Sequence, residues 1–490
     1  MKNVKLIAII ITMGLFAACS SSNNNEPDPN PDPGPTPNPD TEIKLPSKDM
    51  RAVWFTTVWE LDWPQKQYNV EAQKKLYIDY LDKFLEYNIN TVFVQVRSMA
   101  DAFFKSEYEP WSKNITGVRG QDPGYDVLQF MLDEAHKRDL EFHAWINPYR
   151  IATKADGGSF PALEMDLEPK MYVDYGNTRI YNPALPEVRK RLVNIINEIV
   201  TKYDVDGIIL DDYFYPSPVA GIAFPDDEEF KEYGADFATK EDFRTDNVNK
   251  MVQDIHNYIV KNKPELTFTI SPASSHTYNL NSLYADVVHW CKEGWLDIVM
   301  PQLYHSGQTF TDRLSYWSRF SYDATPMIAY GLYKFGDASQ GPTYTKSELA
   351  NQYKQADRNN RIKGGSYYSA KYFFENKINI MEVVEEQYAK PALRPFVGRE
   401  VLPKPEKPSG LELIDNQLKW NGKKGDTYAV YVVPFTTTSK GTVTGKEREA
   451  EMVTVTKDNQ CKISIKGEYF VSASNRQNLE SDLSESIMFK

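Results

Sequence analysis

The feature that most constrains the fold is a regular alternation of short β-type runs and longer amphipathic runs between residues 51 and 389. Strand–helix alternation implies a parallel sheet whose strands are joined by crossover helices. Eight such units in about 340 residues match a closed (β/α)8 barrel better than an open sheet. The eight runs that we interpret as strands are 51–58, 91–96, 140–146, 207–211, 266–270, 296–300, 327–330 and 365–369.

Three long segments follow the second, third and fourth predicted strands, over residues 97–125, 147–184 and 212–240. The carboxyl ends of barrel strands carry the loops that build active sites, and the opposite face serves stability. We therefore expect the functional side chains at these strand ends.

The N-terminus has the pattern of an export signal. Two lysines precede an apolar run over residues 6–15, which is too short to span a bilayer as a helix. Small residues before Cys19 resemble the lipobox of bacterial lipoproteins, which implies cleavage before Cys19 and its lipidation. An ordinary secretory signal with an incidental cysteine is the alternative. Through this anchor, the sequence predicts a membrane-attached lipoprotein of the bacterial cell envelope, facing the periplasm or the outside.

The remaining boundaries follow from composition. Residues 20–46 are rich in Ser, Asn, Pro and Asp and are typical of an extended spacer. Five prolines within residues 391–408 mark a linker, and about seven short strands after it suggest a β-sandwich of the immunoglobulin or fibronectin type III kind. The predicted segments are a signal with its lipidated cysteine (1–19), a spacer (20–46), a barrel (47–392), a linker (393–408) and a β-sandwich (409–490).

Composition narrows the class of ligand. The net charge of −12 repels phosphate backbones, so nucleic acid is not expected as a partner. The 31 Tyr, 24 Phe and 9 Trp supply many rings that could stack on sugars, although a large core explains aromatic residues equally well. Three cysteines, and six histidines without His-Glu-x-x-His spacing, predict neither a disulfide framework nor a metal or cofactor site.

The strongest local signal is the segment 206–216, DGIILDDYFYP, which ends a predicted strand in two adjacent carboxylates. Glycoside hydrolysis usually needs two carboxyl groups, one to protonate the leaving oxygen and one to attack the sugar or activate water. Asp211 is our candidate nucleophile or base, and Asp212 lies beside it. For the second acid we keep Asp101 and Glu60, which follow the second and first predicted strands.

Polar and aromatic residues gather at the ends of the other predicted strands. Convergence of such residues from several strands on one rim is how a barrel site is assembled. Arg150, Ser271 and Tyr333 belong to this rim. The candidate substrate-binding residues are Gln95, Arg97, His143, Trp145, Asn147, Tyr149, Tyr213, Gln302, Tyr304 and Tyr368.

Five motifs occur in order along the barrel region. They are 51–59 (RAVWFTTVW), 90–97 (NTVFVQVR), 144–150 (AWINPYR), 206–216 and 297–304 (DIVMPQLY). Together they resemble the glycosyl-hydrolase-like family ten lipoproteins, to which a fibronectin type III-like module is often appended. The resemblance implies a (β/α)8 fold and glycosidase activity, and one class of members cleaves peptidoglycan glycan strands already stripped of their stem peptides.

The sequence thus predicts an exported, lipid-anchored glycoside hydrolase that acts on O-glycosyl bonds of a polysaccharide, with peptidoglycan glycan as the expected partner. The alternative is a lipoprotein that uses the barrel to bind glycans without cleaving them.

Overall fold

A computed structural model describes residues 43–163, 167–340, 343–438, 441–443 and 448–490. Its largest part is a ring of parallel strands, each followed by helical structure, as the sequence predicted. The barrel strands are β1 (Met50–Phe55), β2 (Thr91–Arg97), β3 (Glu141–Ile146), β4 (Gly207–Leu210), β5 (Thr267–Ile270), β6 (Ile298–Val299), β7 (Ile328–Gly331) and β8 (Gly364–Tyr368).

The ring closes between β6 and β7. A ninth, two-residue strand, Thr325–Pro326, pairs with β6. The chain continues from it through Met327 into β7, so this short strand and β7 occupy the same place in the ring. Backbone hydrogen bonds from Met327 N to Val299 O (3.0 Å) and from Ala329 N to Pro301 O (3.2 Å) join the two strands. The predicted α/β barrel is confirmed.

Helices cover the outside of the ring because each presents one apolar stripe to the strands. In Pro186–Lys202, for example, the buried residues include Val188, Leu192, Ile195 and Ile199, at helical spacing. The other helices of at least six residues in the barrel are Val70–Leu85, Val127–His136, Asp227–Tyr233, Lys240–Asn262, His276–Ser282, Val287–Lys292, Gly307–Phe320, Lys346–Asp357, Ala370–Glu375 and Met381–Gln387.

The inside of the ring is filled by side chains of alternate strand residues. On β1, Met50, Ala52 and Trp54 face the interior, while Val53 and Phe55 pack against the helices. Trp54 meets Trp145 of β3 with ring centroids 4.9 Å apart. The packed interior therefore reaches up to these two tryptophans, and a cavity opens above them at the carboxyl ends of the strands.

Two insertions enlarge this end of the barrel. After β3 the chain forms a small antiparallel sheet of the strands Arg150–Thr153, Tyr172–Tyr175 and Thr178–Tyr181. After β4 a long loop leads into the helix Asp227–Tyr233. Both belong to segments that the sequence analysis placed at the functional end.

The C-terminal region contains two antiparallel sheets around one apolar core. Leu418 and Trp420 of one sheet and Val430 and Val471 of the other belong to that core, so the expected β-sandwich is confirmed, and its assignment to the fibronectin type III family stays a prediction. The three-stranded sheet consists of Ser409–Ile414, Gln417–Asn421 and Gln460–Lys462, and the four-stranded sheet of Glu451–Thr456, Thr427–Pro434, Gly467–Ser474 and Ile487–Phe489.

The end of the expected spacer is part of the folded body. Ile43–Lys44 pairs in parallel with Arg448–Glu449, because Ile43 and Leu45 are apolar and pack on a cluster that includes Leu393. The predicted signal, Cys19 and residues 20–42 lie outside the described residues. Among the residues that the structure describes, no helix has both the length and the apolar character needed to cross a bilayer.

The predicted linker lies against the amino-terminal end of the barrel. Arg394 Nε is 3.0 Å from Glu141 Oε1 at the start of β3, and Arg399 Nη1 is 2.8 Å from Asp297 Oδ1 just before β6. Gln477 of the C-terminal module accepts a hydrogen bond from the backbone of Leu402 (2.8 Å). These contacts fasten the linker to both the barrel and the module.

Candidate active site

The cavity at the carboxyl ends of the strands has a volume of about 390 Å³, and we call it the central cavity. Every one of the eight strands, or the segment directly after it, contributes to its lining. Asp211 and Asp212 are its two acidic residues. The lining consists of Trp54, Val58, Trp59, Leu61, Gln95, Trp145, Arg150, Asp211, Asp212, Tyr213, Ser271, Gln302, Tyr304, Tyr333, Tyr368 and Tyr372.

Asp211 follows β4 directly and is buried. Its Oδ2 accepts hydrogen bonds from Trp145 Nε1 (2.9 Å) and Asn147 Nδ2 (3.3 Å). Its Oδ1 has no hydrogen-bond partner among the described residues. Burial raises the pKa of Asp211 to about 7; Arg150 opposes this rise and the neighbouring Asp212 adds to it. Near neutral pH the side chain is therefore divided between the acid and the carboxylate.

Asp212 is half-buried, and its partner comes from β6, on the other side of β4 from the β3 residues that bind Asp211. Gln302, which follows β6, donates from Nε2 to Asp212 Oδ1 (3.1 Å) and also to the backbone oxygen of Ser271 (3.2 Å). Burial raises the pKa of Asp212, and the hydrogen bond from Gln302 opposes the rise. The two carboxyl groups are thus fixed by different strands.

Arg150 supplies the positive charge of the cavity. Its Nε donates to the backbone oxygen of Ser98 (3.3 Å), and its guanidinium carbon lies 4.3 Å from the ring centre of Tyr213 and 5.6 Å from that of Trp59. Asn147 orients it, since Asn147 Oδ1 accepts the backbone N–H of Arg150 (2.9 Å). Asn147 therefore connects this cation to Asp211.

Gln95 and the tyrosines complete the wall. Gln95 Oε1 accepts the backbone N–H groups of Thr57 (3.2 Å) and Val58 (2.9 Å), which fixes the chain after β1. Gln95 Nε2 has no partner within the described part of the chain. Tyr304 and Tyr368 face each other with ring centroids 5.9 Å apart. Hydroxyl, amide and ring groups thus surround the two acids.

The structure does not bring Asp101 to the central cavity. Its Oδ1 accepts the backbone N–H groups of Ser98 (3.1 Å) and Met99 (2.8 Å), so this carboxylate caps the turn that follows β2. Burial alone raises its pKa, but Arg119 and these hydrogen bonds outweigh burial and lower it. An acid held ionised inside its own turn stabilises the loop and does not serve as a proton donor.

Glu60 lies outside the central cavity in a neighbouring one of about 510 Å³. Its Oε1 accepts the hydroxyl of Tyr68 (2.9 Å). Glu60 has a φ of 58°, in the left-handed region, which turns the backbone away from the direction of β1. Trp59 and Leu61 line both cavities, so Glu60 stands beside the site and not in it.

Three candidate binding residues are buried away from the cavity. Arg97 forms an ion pair with Glu109 (3.1 Å) and donates to the backbone of Asn147, which supports the loop after β3. His143 lies deeper on β3, with Nε2 3.3 Å from Glu141 Oε2. Tyr149 belongs to the core between strands and helices. None of the three side chains lines the central cavity.

Trp54, Trp59 and Tyr372 line the cavity but were not among our candidates. Trp59 comes directly after the first predicted strand, the same signal that selected Trp145 and Tyr304. Trp54 is a residue of β1, where sequence alone does not separate a core residue from a cavity wall. Among the described residues, no group of three or more His, Cys, Asp or Glu side chains could hold a metal ion.

Comparison with known proteins identifies the family of the chain. Residues 49–335 match the model of the family described as glycosyl hydrolase-like 10. Glycosyl hydrolase YngK of Bacillus subtilis is 34% identical over 477 residues, which cover 89% of this chain and 93% of the relative. Glycosyl hydrolase DigH of Escherichia coli K12 is 34% identical over 333 residues, covering 60% and 75% respectively. The solved glycoside hydrolase domain of PgaB from Bordetella bronchiseptica is similar to 69% of this chain and covers 98% of its own, with 11% identity and a TM-score of 0.46. By the family match and the similarity to YngK, the chain belongs to the glycosyl hydrolase-like 10 family.

Proposed function

We propose that this chain hydrolyses glycosidic bonds of a polysaccharide, with Asp211 as the general acid and Asp212 as its partner carboxylate. The observation that carries the proposal is the pair itself. Asp211 and Asp212 are the acidic residues of the central cavity, and burial raises the pKa of both. Acid-catalysed glycoside cleavage requires one carboxyl group whose pKa is raised enough to hold a proton and a second group that acts as a carboxylate.

The hydrogen bonds of Asp211 support its proposed role as the acid. Asp211 Oδ2 already accepts two N–H groups, whereas Oδ1 has no partner among the described residues. With a pKa of about 7, Asp211 carries a proton in about half of the molecules at neutral pH. In this proposal Oδ1 gives that proton to the leaving oxygen, which replaces our earlier assignment of Asp211 as nucleophile or base.

Asp212 is left with the complementary role. As a carboxylate it stabilises the positive charge that develops on the sugar ring when the glycosidic bond breaks. As the glycosidic bond breaks, Asp212 either bonds to the sugar carbon as the nucleophile or takes a proton from the water that attacks this carbon. If Asp212 bonds to the sugar, water then releases the sugar, with Asp211, now a carboxylate, taking the proton of that water. Gln302 holds the carboxylate in place through its bond to Oδ1.

For the substrate we propose peptidoglycan glycan strands without stem peptides, and for the location the bacterial cell envelope, with attachment through a lipidated Cys19. The support for these finer statements is the family resemblance and the signal-like N-terminal sequence. The aromatic wall of the cavity suits a polymer of pyranose rings, since their CH faces stack on aromatic rings.

The test is incubation of the full-length chain, purified in detergent, with peptidoglycan before and after enzymatic removal of the stem peptides. We expect sugar fragments, detected by mass, from the stripped polymer. Asp211→Asn is the matched control, because it keeps the shape and loses the proton. Fragments released equally by the native chain and by Asp211→Asn would contradict the proposed acid.

The same experiment separates the alternative function. Retained binding of stripped strands, without fragments from these or from other glycans, would favour a non-catalytic glycan-binding protein. Fragments from intact peptidoglycan alone would overturn the proposed substrate and keep the glycosidase.

A further inference from the structure

A second cavity adjoins the central one and is larger, at about 790 Å³; we call it the distal cavity. It lies between the small sheet after β3 and the loop after β4, with Tyr278 and Leu283 closing one side. Trp59, Arg150, Asp212 and Tyr213 line both cavities, so the two form one continuous cleft. The reaction described above uses the central part of this cleft.

Several large apolar side chains in the lining of the distal cavity are exposed. The side chains of Trp59 and Tyr213 are 65% and 47% exposed, and Val219, Ile222 and Tyr278 are exposed beside them. Soluble proteins seldom gather exposed apolar residues unless the patch binds something. Three of the five carry aromatic rings, the type of surface on which sugar rings stack.

The wall that carries these residues is tied in place. The hydroxyl of Tyr175 donates to the backbone oxygen of Ile222 (3.0 Å) and accepts the backbone N–H of Val219 (2.7 Å). The hydroxyl of Tyr278 lies 2.6 Å from Ser217 Oγ. The small sheet and the loop after β4 are therefore joined around the cavity, which gives it a fixed shape before any ligand binds.

We propose that the distal cavity binds further sugar units of the same glycan strand whose scissile bond lies at Asp211 and Asp212. This inference rests on the proposed function and extends it. A polymer seated in the central cavity continues into the distal cavity, because the two share four lining residues. The chain thus recognises several consecutive sugars and cleaves within long strands in preference to short ones.

The experiment measures binding, so that it does not depend on turnover. In the Asp211→Asn background, calorimetry compares stripped peptidoglycan glycan strands with a disaccharide and a tetrasaccharide from the same material. We expect long strands to bind more tightly than the short sugars. Adding Tyr278→Ala lowers the ratio of long-strand to disaccharide affinity about tenfold, equivalent to about 1.4 kcal/mol.

Two further variants make the result specific. Tyr278→Phe keeps the ring and loses the bond to Ser217, so we expect it to retain most of the preference for long strands. Tyr233→Ala removes a tyrosine of similar exposure, 40% against 37%, from a helix outside both cavities, and it should leave the ratio as it was.

Equal affinity for long strands and short sugars would overturn the distal subsite. An equal loss of affinity for both ligands in Tyr278→Ala would do the same. Either result is compatible with cleavage by the native chain, which then keeps the proposed function. Conversely, the native chain could cleave nothing and still prefer long strands in a way that depends on Tyr278. That result would support the distal subsite and contradict the proposed hydrolase function.

Discussion

The two ends of the barrel both carry buried acids, and they differ in the groups placed beside those acids. At the amino-terminal end, Glu141 lies 3.0 Å from Arg394 and Asp297 lies 2.8 Å from Arg399. At the carboxyl end, Asp211 has no ion-pair partner among the described residues, and two neutral N–H groups bind one of its oxygens. Burial acts to raise the pKa of all three acids; Arg394 and His143 outweigh burial at Glu141, whereas Arg399 opposes it at Asp297 without reversing it.

The comparison separates stability from chemistry. Burial alone would raise the pKa of Glu141, but Arg394 and His143 reverse this and hold it at about 2, so the carboxylate stays charged and fastens the linker. The pKa of Asp211 rises to about 7. An acid that stays ionised holds parts together, whereas one that titrates near neutral pH can transfer a proton.

The largest effect is expected when the proposed acid of the central cavity is replaced. Asp211→Asn should lower kcat on the cleaved glycan by about 10²–10⁴-fold, the range of general acid catalysis. The urea midpoint should not fall, because no ion pair is lost. A variant that keeps more than a tenth of the native kcat would show that Asp211 is not the proton donor.

The opposite end is tested by removing its cation. Arg394→Ala leaves Glu141 buried without its guanidinium partner and removes hydrogen bonds to the backbone oxygens of Asn90 and Asp139. We expect the free energy of unfolding to fall by about 3 kcal/mol, with kcat per folded molecule retained. Urea unfolding gives the first quantity; an unaltered midpoint would mean that the pair does not hold the linker.

The contributions of Glu141 and Asp211 to the pH dependence of stability should differ in sign. The pKa of Glu141 is lowered from 4.5 to about 2, so its contribution is present above pH 4.5 and is lost as pH falls, by about 3 kcal/mol in total. The pKa of Asp211 is raised from 3.8 to about 7, so its protonated form stabilises the fold and stability declines as pH rises through this interval.

Urea midpoints between pH 2 and pH 8 check both signs. In Glu141→Gln the loss on the acid side should shrink, and in Asp211→Asn the decline between about pH 4 and pH 7 should shrink. If both variants change the urea midpoint on the same side of the pH range, Glu141 and Asp211 do not contribute with opposite signs.

The smallest expected effect tests how the hydrogen bond from Trp145 changes the pKa of Asp211. Trp145→Phe removes the N–H that stabilises the carboxylate, so the pKa of Asp211 should rise by about one unit. Activity that needs the protonated acid then persists to higher pH, and the alkaline limb of kcat/KM moves up by the same amount. If the alkaline limb stays in place, or moves to lower pH, the hydrogen bond from Trp145 does not lower the pKa of Asp211.

Sequence periodicity was enough for the barrel and for the two acids, because Asp211 and Asp212 end a strand whose pattern is plain. It was not enough for residues near an irregularity. On β2, Gln95 faces the cavity, and two-residue alternation would give Arg97 the same direction. A register shift between them, however, leaves Arg97 paired with Glu109.

Depth along a strand is equally hard to read. His143 and Trp145 alternate correctly toward the barrel interior, but His143 lies near the amino-terminal end beside Glu141, and only Trp145 reaches the cavity. Asp101 and Glu60 follow strands as predicted, yet local turns direct their carboxylates to Ser98 and Tyr68. Turn geometry depends on backbone angles that residue type does not specify at these positions.

Trp145 has a consequence for how such a barrel can change over evolutionary time. The ring that donates to Asp211 also packs on Trp54, and Trp54 donates to Ser366 (2.7 Å) inside the barrel. A substitution that repacks the interior around Trp54 is therefore expected to shift a group that lowers the pKa of the proposed catalytic acid. At this layer, core packing and the pH at which the proposed reaction runs are therefore expected to change together.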